Sequence, residues 1–444
     1  MKLHKNHTRN LVKITMKFAF YTLGCKVNQY ETQAMEQLMR QWGHAVGALS
    51  EPCDGYIVNT CSVTAVSDKK CRGVIRRLRR AAPEAVIGVC GCYSQVSPDA
   101  VRALGADVIS GTENREAFLR LVLESAEKRQ HLELLDNALR RREAFEALPA
   151  GAAEARTRAM LKVEDGCQNF CSYCIIPYAR GPVRSLPLEQ AVRQAQALYA
   201  EGFREVVLTG IEISSWGQDL GSGTLRDLIA AICAAAPGLR VRLGSLEPRT
   251  VDETFCRTLS AFPNLCPQFH LSLQSGSDTV LHRMKRRYDT ARYAESVRLL
   301  REAFPGCAIT TDLIEGFPGE TEEEFVQTLQ FLETIRFSQM HIFPYSQRPG
   351  TPAAAMPDQI PAEVKERRAA RATALAAETA QEYHAAMIGT VHDVLFEQPE
   401  APGFAGHAPN YVKVYVQGAE LRGQVRSVRI TGLAPDGVLG ELVP

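Results

Sequence analysis

From Arg158 to Asp358 the chain repeats one unit six times: a short apolar segment, a polar or glycine-rich turn, then a helical pattern. The apolar segments are "AMLKVED", "EVVLTGIE", "RVRLGSLE", "QFHLSLQ", "CAITTDLIEG" and "QMHIFPYS". Strand-then-helix repetition predicts parallel pairing, because parallel neighbours need a crossover connection. A full barrel of this kind takes eight units. Six therefore predict a partial (β/α)6 barrel with one open side, and any site belongs at the carboxyl ends of its strands.

The flanking segments extend the α/β reading. Upstream, "KFAFYTLG", "GYIVNTC", "VIGVCGC" and "DVIS" predict a Rossmann-like parallel sheet over about residues 16–147. A helix is expected at Val66–Ala82, with Cys71, Val74, Ile75 and Leu78 on one face. A charged, Ala-rich helical connection and the loop "LPAGAAEART" lead to the barrel block, 157–387, which ends in a helix at about Pro361–Met387. Residues 388–444 alternate with period 2 between Gly and Pro turns, which predicts a small all-β barrel. Residues 1–15 read as a disordered extension. The net charge of +1 excludes a polycation acting as a whole on nucleic acid. No export signal is visible and no apolar run reaches the roughly 18 residues of a membrane span. A cytoplasmic protein is expected, with its 13 cysteines reduced, no membrane and no stable protein partner.

Three of those cysteines, Cys167, Cys171 and Cys174, fall within "DGCQNFCSYCIIPYARG", just past the first barrel strand. Thiolates at this spacing suit a zinc loop completed from elsewhere, or an iron–sulfur cluster with one iron left open. A second trio, Cys25 ("TLGCKVNQYE"), Cys61 ("VNTCSVT") and Cys92 ("CGCYSQ"), lies past three predicted parallel strands, whose carboxyl ends share one sheet edge. Cys90 precedes the turn glycine Gly91 and reads as strand packing.

CxxxCxxC with Tyr173 before its last cysteine resembles the radical S-adenosylmethionine superfamily. The resemblance implies a 4Fe-4S cluster on Cys167, Cys171 and Cys174, with S-adenosylmethionine chelated to the open iron. Thr209, Gly210 and Glu212 in "LTGIE" resemble the segment that meets the methionine amino group. Arg242, Ser245, Glu247 and Gln274 end strands three and four, where they are expected to grip carboxylate and ribose. Asp312 and Gly316 lie in "TDLIEGFPGE", which resembles the segment packed on adenine.

Two three-cysteine sets followed by a small β-barrel look like the methylthiotransferase family, from about Met16 to the end. "TLGCKVNQYET" and "CSYCIIPYARG" are most similar to its branch acting on N6-threonylcarbamoyladenosine at tRNA position 37. The isopentenyladenosine branch usually starts closer to "YGCQMN" and the ribosomal-protein branch to "LGCPKN". The resemblance makes all six cysteines catalytic and implies two 4Fe-4S clusters. A 5′-deoxyadenosyl radical takes hydrogen from carbon 2 of adenine, and the cluster on Cys25, Cys61 and Cys92 presents sulfur or methylthio. A second S-adenosylmethionine supplies methyl, and an external flavodoxin- or ferredoxin-like donor supplies electrons. The alternatives are the other two branches, or a metal-cluster RNA-binding module without catalysis.

Transfer RNA as substrate calls for phosphate contacts. The helix Val66–Ala82 carries Arg72, Arg76, Arg77 and Arg80 among seven bases against the single acid Asp68. "RMKRRY" adds Lys285, Arg286 and Arg287 beside an aromatic. The terminal barrel resembles the RNA-binding TRAM domain, with Lys413, Arg422 and Tyr411 as candidate contacts. Yet residues 391–444 hold four Lys/Arg against six Asp/Glu, a net of −2.

Overall fold

The computed structural model describes residues 15–135, 142, 144–149, 157–418 and 420–443. All but the last residue of the expected extension, and most of the charged connection after Leu135, lie outside the described residues.

The first sheet has six parallel strands: β1 (Lys17–Thr22), β2 (Ala45–Gly47), β3 (Gly55–Thr60), β4 (Val86–Gly91), β5 (Val108–Ser110) and β6 (Leu132–Leu134), in the order β2-β1-β3-β4-β5-β6. Two more strands appear than the sequence predicts. β2 and β6 are three-residue edge strands, too short to show a period. β3 and β4 are buried throughout, as strands covered on both faces must be. The helices α1 (Lys26–Gln41) and α2 (Ala65–Ala81) flank them. Thr64 caps α2, its side chain accepting from the Ser67 amide, and Cys71, Val74, Ile75 and Leu78 are its buried face.

The central unit is the expected open barrel. β7 (Arg158–Lys162), β10 (Glu205–Thr209) and β11 (Arg240–Leu243) form one parallel half; β12 (Gln268–His270), β13 (Ala308–Glu315) and β14 (Gln339–Pro344) form the other. A short ribbon, β8 (Glu164–Asp165) with β9 (Arg184–Ser185), follows β7. Isolated bridges Val241–Leu265 and Leu246–Leu271 join the halves, leaving β7 and β14 as open edges. Leu161, Leu208, Leu243, Phe269 and Leu271 pack outward against the helices. Polar side chains, among them Glu205, Arg242, His270 and Asp312, occupy the lumen face.

The first domain spans the open side. From α1, Glu31 reaches Lys162 of β7 at 3.2 Å. Past β14, Arg348 pairs with Asp68 and donates to Ser62, both at 2.6 Å, and the Ala65 amide donates to Ser346 Oγ. At the strand starts, the helix Ala362–Ala386 leads to a closed five-stranded barrel of β15 (Val391–Glu400), β16 (Gly403–His407), β17 (Lys413–Val416), β18 (Val425–Ala434) and β19 (Gly437–Leu442). It plugs that end of the lumen: Arg158 meets Glu397 at 3.1 Å, and the Tyr411 ring lies 4.7 Å from Arg242 and 5.2 Å from Arg158. Among the described residues, no helix is long and apolar enough to cross a membrane.

Candidate active site

The first cysteine trio is assembled by the sheet edge. Cys25 occupies the N-cap of α1, its side chain making no cap bond. Cys61 follows β3 directly, and Cys92 opens α3 (Cys92–Val96) directly after β4. The turn between Cys90 and Cys92 needs glycine: Gly91 has φ +102°, and a Cβ there would lie 2.4 Å from the Thr60 carbonyl oxygen. That turn separates the two thiols. Cys90 is fully buried among Phe18, Ile57 and Phe118, whereas Cys92 lies within electrostatic reach of Cys61 and Cys25. Asn28 fastens the edge, its amide donating to the Leu23 and Thr60 carbonyls at 2.9 Å while its oxygen faces Cys25 Sγ at 3.5 Å.

The second trio sits on the loop after β8. Gly166, at φ +92°, turns the chain into Cys167, whose amide donates to the Gly181 carbonyl at 3.0 Å. The Cys174 amide donates to the Cys171 carbonyl, winding the loop on itself. Arg286 Nη1 donates to Cys171 Sγ at 3.2 Å. This corrects the phosphate role expected for Arg286: its guanidinium lies against the cysteine loop and over the Tyr288 ring.

Burial pushes the thiols of Cys92 and Cys174 up to about 12, and those of Cys61 and Cys167 upward too. Burial alone does not mark a ligand, since it also pushes Cys90 and Cys71 up to about 12. Neither does mutual repulsion: Cys61 and Cys25 raise Cys92 and Cys171 raises Cys174, but Cys61 and Cys92 raise Cys71 too, so what sets the trios apart is their place, one at the ends of β1, β3 and β4 and the other on a single loop. Three neighbouring thiolates require positive charge between them, and an iron–sulfur cluster fits that donor set. Among the described residues, no three His, Cys, Asp or Glu converge tightly enough for a single metal ion.

A buried ionic joint, absent from the sequence reading, connects the two sites. Arg180, from the helix Ile176–Arg180 after the second trio, meets Glu31 at 2.6 Å, Asp165 at 3.1 Å and Asn28 at 3.1 Å. It also lies against the Cys92 thiol and counters the upward push of burial. Arg180 stands in the quoted segment "CSYCIIPYARG", but its partners Glu31 and Asn28 lie 149 and 152 residues away, so the segment carries no signal of the pairing.

The strand-end residues divide into two groups. Gln168, Asn169, Glu212, Ser214, Glu247 and Arg249 line a cavity of about 440 Å³ beside the cysteine loop. Glu212 caps Ser214 and bonds Ser215 Oγ at 2.6 Å, Glu247 accepts from Arg249 Nε at 2.9 Å, and Gly210 packs against Glu164. Thr209 is buried at the end of β10, Ser245 is exposed, and Gln274, at φ +71°, bridges to Leu313. Tyr173 packs with Phe317 and Tyr345, and the Gly316 amide donates to Glu320 at 2.8 Å. Arg242 and Asp312 stand elsewhere. Arg242 faces down the lumen, held by Glu205 at 2.7 Å and the Ala408 and Pro409 carbonyls, so the expected carboxylate grip is corrected. Asp312 lies beside His270 at 3.3 Å, also inside the lumen.

Among the basic candidates, Arg76, Arg77 and Arg80 are exposed on α2, as are Lys285 and Arg287 near the cysteine loop. Arg72 is partly taken, donating to the Tyr93 hydroxyl at 3.3 Å. Lys413 is held by Glu400 and by Asp436 at 3.0 Å; Arg422 is exposed with Glu420 at 3.9 Å. Tyr411, stacked on His407 and the lumen arginines, is a plug rather than a platform for bases.

Residues 161–332 match the radical SAM superfamily, and residues 17–111 match a family described as uncharacterized, UPF0004. A protein of Bacillus subtilis (strain 168) named threonylcarbamoyladenosine tRNA methylthiotransferase MtaB is 41% identical over 420 residues, 93% of each chain. A tRNA-2-methylthio-N(6)-dimethylallyladenosine synthase of Acidothermus cellulolyticus is 36% identical, over 95% of this chain and 87% of that one. In fold, the chain is similar to the radical S-adenosylmethionine methyltransferase TsrM of Kitasatospora setae, at TM-score 0.56 and 15% identity, over 87% of this chain and 80% of that one. The chain belongs to the radical S-adenosylmethionine tRNA methylthiotransferases, in the MtaB-like branch.

Proposed function

We propose that this enzyme methylthiolates carbon 2 of N6-threonylcarbamoyladenosine at tRNA position 37, using two 4Fe-4S clusters and S-adenosylmethionine. The observation that carries the reading is the pair of three-thiolate sites, one on the sheet edge and one on the barrel loop, tied together through Arg180. When bound, the cluster on Cys167, Cys171 and Cys174 supplies the electron that turns S-adenosylmethionine into a radical source, and the cluster on Cys25, Cys61 and Cys92 supplies sulfur.

The chain's own residues orient and enclose. Arg286 steadies the barrel loop, and the Glu212–Glu247 cavity beside it offers polar groups to S-adenosylmethionine. The first domain closes the open side of the barrel and Tyr411 closes its far end, so the reacting base is shielded from water. The exposed Arg76, Arg77 and Arg80 give tRNA phosphates a landing face. An external flavodoxin- or ferredoxin-like donor supplies electrons. Mass spectrometry of tRNA nucleosides from a strain lacking the protein tests the reading. Loss of the 2-methylthio form with build-up of N6-threonylcarbamoyladenosine is expected; an unchanged nucleoside profile, or build-up of isopentenyladenosine instead, contradicts it.

A further inference from the structure

β14 is an open edge of the barrel, and its two faces differ. Met340 and Ile342 pack outward into the core beneath the helices. Alternation along the strand therefore turns His341 and Phe343 to the lumen. The His341 ring bears this out: its centroid lies 6.1 Å from that of His270, the lumen histidine that meets Asp312 at 3.3 Å. His341 also stands in register with Asp312. It is exposed, and neither ring nitrogen has a hydrogen-bond partner among the described residues. Phe343, two residues on, is 47% exposed, a phenyl ring left open to solvent on the inner face of a barrel. Its surroundings point to an occupant. In register beside it is Ile314 of β13, which packs with Tyr173 of the second cysteine loop. Just past it, Ser346 accepts from the Ala65 amide, and Arg348 donates at 2.6 Å to Ser62, the residue after Cys61. Phe343 therefore lies between the two thiolate sites. Val63 and Val66, both exposed, follow Cys61 at the same junction. Exposed apolar side chains between the two trios fit the face of an unstacked base.

We propose that Phe343 stacks the reacting adenine and that His341 hydrogen-bonds the threonine hydroxyl of its N6 substituent, which makes β14 the specificity-determining wall. The proposal rests on the function proposed above. Spacing supports the pairing. Side chains two residues apart on one strand face stand about 6.6 Å apart. From N6 the substituent crosses a planar urea, about 3.8 Å, and two further bonds reach the hydroxyl, about 6 Å in all. A base on Phe343 thus sets that hydroxyl beside His341. A neutral imidazole carries one donor and one acceptor, which suits a hydroxyl. Asp312, in register beside His341, repels a second carboxylate, so the hydroxyl rather than the substrate's carboxylate takes this place. An isopentenyl group is apolar at the same distance and leaves the imidazole unmatched.

The test uses the full-length, anaerobically reconstituted enzyme and one tRNA sequence in two forms, threonylcarbamoyl and valylcarbamoyl. The second form is isosteric and replaces only the hydroxyl by a methyl. Wild type is expected to favour the threonyl form about tenfold in kcat/KM. His341→Phe keeps the bulk of the ring and should abolish that preference, while His341→Gln should keep part of it. Phe343→Leu should raise KM about tenfold for both forms alike with kcat little changed, and Phe343→Tyr should restore it. Iron content should match wild type in every variant. A preference that survives His341→Phe, or a wild-type KM in Phe343→Leu, overturns the assignment. Loss of iron in either variant also overturns it, since the side chain would then be a support for a cluster. Wild type that methylthiolates both forms equally well leaves the proposed function standing and refutes the role of His341. Wild type that methylthiolates neither form, with both clusters loaded, refutes the proposed function and this inference with it.

Discussion

Glu31→Gln perturbs the joint that sets the two thiolate sites relative to each other. The Glu31 carboxylate is fully buried and accepts from Arg115 at 2.7 Å, Arg180 at 2.6 Å and Lys162 at 3.2 Å. Asp165 shares Arg180 and Lys162, at 3.1 and 2.6 Å. The amide keeps the shape, but it removes a negative charge from among three buried cations and turns an N–H donor toward donors. Breaking a buried pair costs about 3–5 kcal/mol. Because Asp165 still serves two of the cations, we expect about 3 kcal/mol, the low end of that range. Burial alone would push the Glu31 carboxyl up, but Arg115, Arg180 and Lys162 outweigh it and hold it well below the usual carboxylate range. Its contribution is therefore complete above the ordinary carboxylate pKa and lost only as pH falls through the lower folded value. The penalty of Glu31→Gln should be undiminished between about pH 8 and about pH 6. The chain's two tryptophans separate the domains, Trp42 ending α1 and Trp216 buried in the barrel. In denaturant, the Trp42 transition should move to lower concentration and the Trp216 transition less. Methylthio product per 5′-deoxyadenosine should also fall. Adding Arg115→Met, which removes the stranded cation, should recover part of the loss. An unmoved Trp42 midpoint, or a double variant as unstable as the two single losses added, refutes the reasoning.

Two further perturbations separate the parts of the site. Replacing Cys167, Cys171 or Cys174 by Ala should abolish reductant-driven formation of 5′-deoxyadenosine; intact formation contradicts the assignment of that loop. Reversing Arg76, Arg77 and Arg80 to Glu should weaken tRNA binding and reduce the log–log salt slope by about 2–3, with iron content unchanged. A salt series indistinguishable from wild type makes that face ordinary solvated surface.

The parts of the fold legible in the sequence were those written locally. β3 and β4 read as strands because each holds a short apolar run, Tyr56–Val58 and Val86–Cys90, and the face of α2 read as 3.6-period spacing. The placement of Cys90 and Cys92 followed from Gly91, whose turn the sequence states outright. β2 and β6 carry too few residues to show alternation. The lumen was the larger gap. Arg242 ends a strand, as a mouth residue would, but the direction it faces depends on Glu205 and on the plug from residues 408–411, both far away in sequence. Lys413 and Arg286 looked like free cations because Glu400, Asp436 and Cys171, which hold them, are brought close only by the fold. Glu31 lies 131 residues from Lys162 and 149 from Arg180, so no window of sequence displays its pairing with them.

The division of labour between the two trios is the central claim, and Cys92→Ala tests it most directly. The barrel loop and its cavity are untouched by this change, so the reconstituted variant should still form 5′-deoxyadenosine from S-adenosylmethionine. It should form no methylthio product on tRNA carrying N6-threonylcarbamoyladenosine, and its iron should fall to about half. Cys90→Ala, a fully buried packing residue two positions away, should keep both clusters and full product at a stability cost of about 1 kcal/mol. Methylthio product from Cys92→Ala at the wild-type rate, or loss of the cluster on Cys25, Cys61 and Cys92 in Cys90→Ala instead, contradicts the account.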